Sequence, residues 1–91
     1  MDFEWDAVKA RVNLRKHGVS FEEAAGTLAD SLAMTYDDPD HSGDEQRYIT
    51  VGTSRSGRLL IVAHTDRGKN IRIISARLAT PRERKKYEEE G

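Results

Sequence analysis

The chain has 91 residues, of which 36% are hydrophobic and 34% charged, with a net charge of −1 and no cysteine. That size predicts one small domain over residues 1–91, near the lower end of what folds on a single thin core. The missing cysteines exclude a disulfide framework and a thiolate metal site. No apolar run approaches the roughly 20 residues of a membrane span, and the first residues carry no apolar signal region, so no membrane partner and a cytoplasmic setting are expected.

In chain order, Met1, Phe3 and Trp5 alternate with Asp2, Glu4 and Asp6, the pattern of a short strand with one apolar face. Asp6 is placed to cap a helix over 7–17, which Gly18 closes from the left-handed C-cap position. Its apolar stripe reads Ala7, Ala10, Leu14 and His17. Ser20 and Glu23 stand at capping-box spacing, so a second helix is predicted over 21–29. A strand over 32–36 leads into the turn-rich, polar "DDPDHSGDEQ". Strands over 47–53, 59–65 and 70–77 follow, joined by the short glycine-containing "SRSG" and "DRGK", which predict antiparallel hairpins. Thr80, Pro81 and Glu83 then open a C-terminal helix to about residue 89. Tyr87 is its one large apolar residue, so that helix has little to bury. The expected class is α+β: a strand, two helices, a small antiparallel sheet of three to four strands, and a last helix.

Charge is divided unevenly. Residues 1–46 hold 4 Lys and Arg against 11 Asp and Glu, whereas residues 47–91 hold 11 against 5. A basic region suited to phosphates on one side of the molecule is one consequence; mutual cancellation of the two halves in space is the other. Arg47, Arg58, Arg72 and Arg77 belong to the basic half, and arginine's planar fork matches phosphate oxygens. Arg77 runs directly into the helix start at Thr80, which is itself favourable to anions.

Strict alternation puts Ile71, Ile73, Ser75 and Arg77 on one face of the last strand and Arg72 and Ile74 on the other. Leu60, Val62 and His64 share a face of the preceding strand. His64 is the candidate general acid or base. It sits near the hairpin turn and Arg77 at the far end, so they meet only if a cleft runs along the sheet. The competing reading of His64 is a histidine closing the core. His17, at the last turn of the first helix, suits the negative end of the helix dipole, and His41 falls in the acidic loop.

Other sites fail on spacing. Asp38, Asp40 and Gly43 begin a calcium-loop pattern, but position 49, where the bidentate glutamate belongs, is Ile49. His17, His41 and His64 are too scattered for zinc. No metal or other cofactor is expected.

The stretches "FEWDAVKARVNLRKHGVSFEEAA" and "IRIISARLATPRERKKYEE" resemble the BrnT-like toxins of bacterial type II toxin–antitoxin pairs over nearly the whole chain. The resemblance rests most on Trp5-Asp6, on Lys16 to Phe21, and on Ile73 to Arg77 with Glu83 and Tyr87 behind. It implies a RelE-like ribonuclease fold and RNA cleavage that inhibits translation, with ribosome-associated mRNA one form of the substrate. The implied partner is a BrnA-like ribbon-helix-helix antitoxin in a heterotetramer, with operator DNA contacted only through that antitoxin. Metal-free cleavage by 2′-hydroxyl attack needs a proton acceptor, a proton donor and a cation. His64 is the acid or base candidate, Arg77 with Arg58 or Arg47 the charge-stabilising candidates, and Lys16, Arg72 and Tyr87 the substrate-positioning ones. Two readings stand beside this one. A non-catalytic interaction module would explain the thin core and the polar last helix. A DNA-binding module is disfavoured by the net charge of −1.

Overall fold

The computed structural model describes residues 2–38 and 45–90. Asp40 and Gly43 of the candidate calcium pattern, and His41, therefore lie outside the described residues. The elements run β1 (Asp2–Glu4), α1 (Ala7–His17), α2 (Phe21–Leu28), β2 (Met34–Asp37), β3 (Arg47–Thr53), β4 (Leu59–Arg67), β5 (Asn70–Leu78) and α3 (Pro81–Glu90). All five strands form one sheet in the order β1-β5-β4-β3-β2. β1 joins parallel to β5, and the other pairings are antiparallel. The α+β class holds, with the N-terminal strand completing the sheet rather than standing beside it.

Local chemistry sets the helix ends. The Asp6 carboxylate accepts from the Val8 and Lys9 amides at 2.8 and 3.0 Å. Gly18 closes α1 at φ 69°, where its amide reaches the Leu14 carbonyl; a side chain is strained there. Ser20 caps α2 through the Glu23 amide at 3.0 Å. Only half of that capping box forms, because the Glu23 carboxylate turns outward to Arg58, Ser54 and Ser56. A cation and two hydroxyls outcompete one neutral amide. The box at α3 is complete: Thr80 and Glu83 each accept from the other's amide.

Helices α1 and α2 cover one face of the sheet. There Val19, Phe21, Ala24, Leu60, Val62, Ile73 and Ala76 form the core, each at most 1% exposed. Trp5 meets Phe21 edge to face at 6.0 Å. Helix α1 buries only part of its predicted stripe: Ala10 packs against the core, but Leu14 is 52% exposed. The one buried residue of α1 is Asn13. Its amide donates to the Val19 and Ala76 carbonyls at 2.9 and 2.8 Å, and its oxygen accepts from the Ala76 amide at 3.1 Å. β1 pairs only as far along β5 as Arg72. Beyond that point the edge of β5 would present bare backbone groups, and Asn13 satisfies those of Ala76.

One irregularity decides the rest. β4 and β5 pair as Ala63 with Ser75 but His64 with Ile73, which leaves Ile74 as an extra residue. This bulge breaks the predicted alternation. Ile71 and Ile73 lie opposite Asp66 and His64, on the helix-covered side. Ser75 and Arg77 lie opposite Ala63 and Ile61, on the other side. Arg72, opposite Thr65, belongs to that second side as well.

Candidate active site on the open sheet face

The side of the sheet away from α1 and α2 carries three rows across the strands. Arg77, Ile61, Val51 and Met34 form one row; Ser75, Ala63, Ile49 and Tyr36 the next; Arg72, Thr65 and Arg47 the third. The small residues Ser75 and Ala63 thus occupy the middle, with arginines at both ends. Two-residue steps along a strand separate the outer rows by about 13 Å. At the edge of this face, Lys16 and His17 from the end of α1 meet Ile74 and Ser75 in a shared groove. The bulged Ile74 is turned into that groove rather than into the core.

Two of the arginines are held by carboxylates. Arg72 Nη1 reaches Glu4 at 2.9 Å. Arg77 makes a two-pronged pair with Glu83 at 2.8 and 2.9 Å, and Nη1 also meets the Leu78 carbonyl at 3.3 Å. A guanidinium has five N–H donors. Three are used among the described residues, so two remain for an incoming anion. The pairing with Arg77 and the Thr80 amide holds Glu83 at a pKa of about 2, against an ordinary 4.5. Glu83 is therefore a poor proton acceptor near neutrality and a good clamp.

Helix α3 lies across one corner of the same face. None of its residues is buried. Tyr87 donates to the Leu32 carbonyl at 3.0 Å, and Tyr36 donates to Glu90 at 3.1 Å. Burial, followed by the Glu90 carboxylate, raises the Tyr36 pKa, so its hydroxyl keeps its proton.

The predicted residues divide accordingly. Arg77, Arg72 and Arg47 share the open face, with Lys16 at its edge and Tyr87 above it. His64 and Arg58 do not join them. His64 lies on the helix-covered side, 6% exposed, with Nε2 2.7 Å from the Thr50 hydroxyl and its ring stacked 5.7 Å from Tyr48. Burial lowers its pKa, with the Asp66 charge acting in the opposite direction. No cleft joins His64 to Arg77, because the bulge at Ile74 carries them to opposite faces. Arg58 also lies on the helix side. It binds both carboxylate oxygens of Glu23, and through Nη2 the Gly18 carbonyl at 3.0 Å. It fastens the turn before β4 to α2.

Sequence reasoning passed over Tyr36, Ser75 and His17 as site residues. Tyr36 was legible as the polar-tipped aromatic of β2, and His17 as the neighbour of a flagged lysine. Ser75 depended on the bulge. Among the described residues, no group of three His, Asp or Glu is gathered as for a metal ion, and no helix is long and apolar enough to cross a membrane.

A five-stranded sheet backed by two helices, with arginines at both ends of its opposite face, defines a small α+β domain. The crystal structure of the Brucella abortus ribonuclease toxin BrnT superposes on this fold with a TM-score of 0.65, at 23% identity, over 88% of this chain and 97% of that one. Residues 5–83 match the family model described as "Ribonuclease toxin, BrnT, of type II toxin-antitoxin system". The chain belongs to the BrnT family of ribonuclease toxins. A ribonuclease toxin of a type II pair has an antitoxin partner and an RNA substrate. No curated protein sequence matches.

Proposed function

We propose that the whole chain is one toxin domain, a metal-independent endoribonuclease of the cytoplasm that inhibits translation by cleaving RNA on the open sheet face. The observation that carries this is the convergence of Arg77, Arg72 and Arg47 around the small residues Ser75 and Ala63, with Lys16 and His17 at the rim. The scissile phosphate lies over Ser75. Arg77 turns its two remaining N–H donors to the nonbridging oxygens, where negative charge grows as the 2′-oxygen attacks. Arg72, Arg47 and Lys16 hold neighbouring phosphates, and Tyr87 positions the strand. His17, not the buried His64, is the imidazole that can reach the reacting atoms. It takes the 2′-hydroxyl proton or supplies one to the departing 5′-oxygen. The products are a cyclic phosphate and a 5′-hydroxyl end. A BrnA-like ribbon-helix-helix antitoxin in a heterotetramer neutralises the enzyme and alone contacts operator DNA.

The test is cleavage of cellular RNA, free and on translating ribosomes, by the purified chain in EDTA. Wild type is expected to cut and to leave cyclic phosphate ends. Arg77→Ala loses about 100- to 1,000-fold, the usual cost of removing one transition-state charge stabiliser. His17→Ala loses comparably, with an unchanged melt. Strict dependence on added divalent metal, or full activity of folded His17→Ala, would overturn the mechanism. A folded wild-type chain that leaves RNA intact in both settings would instead make it a non-catalytic interaction module.

A further inference from the structure

Beneath α3 is a cavity of about 410 Å³, within the roughly 300–1,000 Å³ of small-molecule sites. Its existence follows from the composition of α3. A helix whose one large apolar residue is Tyr87 cannot seal an aliphatic sheet face, so space remains between them. Ile49, Val51 and Ile61, one from β3's row with Tyr36 and two from Arg77's row, make the floor. Tyr36 and Tyr87 stand at the sides, and both hydroxyls are already engaged, with Glu90 and the Leu32 carbonyl. Those bonds tether both rings beside the cavity. Arg77 and Lys86 line the same cavity, as do the carboxylates of Asp38, Glu83 and Glu90, of which Glu83 is paired with Arg77 and Glu90 with the Tyr36 hydroxyl.

We propose that this cavity is a nucleobase site: one base of the RNA strand, turned out of its stack, inserts between Tyr36 and Tyr87 while its flanking phosphate is held by Arg77. This rests on the reading of the open face as the RNA-binding surface and adds to it a specific position for one base. A flat ring with polar edges fits an aliphatic floor between aromatic walls. A phosphate one bond away from its sugar fits the cations on the same lining. Aromatic stacking tolerates any base and strengthens binding at each such position. The site also explains why a polar helix crosses the sheet at all: α3 supplies a wall and a cation, not core.

The experiment uses the full chain and short single-stranded 2′-O-methyl RNA, which cannot supply the attacking hydroxyl. 2-Aminopurine is placed at successive positions along the strand. Anisotropy of an end label reports binding, and 2-aminopurine emission reports stacking. One position is expected to be quenched severalfold on saturation. Tyr36→Ala, and separately Val51→Phe, which fills the floor, should abolish that quenching and weaken binding about tenfold. Thermal melts confirm that each variant folds, and Val51→Phe keeps the test open if Tyr36→Ala does not. Saturable binding with no quenched position, or with quenching untouched in both variants, overturns the base site alone and leaves the cavity to a protein side chain. Absence of saturable binding overturns the RNA-face reading and the base site with it.

Discussion

Glu23 holds the two layers of this domain together, and its removal should be measurable in a way that also settles the role of Arg58. Its carboxylate accepts from Ser54 at 2.6 Å, Ser56 at 2.7 Å and Arg58 Nε at 3.0 Å, and also pairs with Arg58 Nη2. The Arg58 bonds first, and then the two serines, hold its pKa at about 2 against an ordinary 4.5. At about 1.36 kcal/mol for each unit between those values, the full effect is roughly 3 kcal/mol. The Glu23 side chain is 17% exposed and that of Arg58 36%, so solvent screening reduces the effect to about 2 kcal/mol. Glu23→Gln is therefore expected to lower stability by about 2 kcal/mol at pH 7, which is about 10 °C in Tm for a domain this small. The sign of the pH dependence follows from the depressed value. The unfolded chain takes up this proton first, so the contribution is complete above 4.5 and drains away as pH falls toward 2. Urea melts of wild type and Glu23→Gln between pH 7 and pH 3 should converge at the acid end. Arg58→Ala should cost a similar amount while the folded fraction still cleaves RNA. A loss under about 0.5 kcal/mol, or parallel curves down to pH 3, would refute the anchoring role.

Asn13→Leu should cost about 2–4 kcal/mol although it adds apolar volume and helix propensity, since it orphans the Ala76 amide and two buried carbonyls; a chemical melt with no loss would contradict this. His64, its pKa lowered by burial from an ordinary 6.5, should make the fold lose stability as pH falls below about 6.5, because the unfolded chain protonates first. Melts at pH 7.5 and 5.5 should show that slope in wild type and a shallower one in His64→Phe. Deleting Ile74 removes only the extra residue and leaves Ser75 opposite Ala63 and Arg77 opposite Ile61 in an unbroken ladder. The shortened chain should still fold with Arg77 on the open side, as read by circular dichroism and RNA cleavage; a deletion that unfolds the chain would disprove the register argument.

What the sequence determined by itself is the part governed by neighbours along the chain. Asp6 and Gly18 bound α1, Ser20 starts α2 and the Thr80–Glu83 box starts α3, because a cap is a hydrogen bond across two or three residues. The glycine turns before β4 and β5 are of the same kind, and so is the gathering of arginines in the second half. Arg77, Arg72 and Arg47 were thus legible as a set, while Lys16 and Tyr87 came only from the family resemblance. Tertiary structure decided which of them meet. Asn13 looked like a polar interruption of a helix until the unpaired edge of β5 stood beside it. Glu23 looked like half of a capping box until Arg58 arrived from 35 positions away. Above all, the extra residue at Ile74 exists only relative to the pairing of β5 with β4. A side chain's face is a matter of counting, and one added residue reverses the count for everything after it. That single step put Arg77 on the open side and left His64 behind the sheet, a choice made by strand partners and invisible to any one strand.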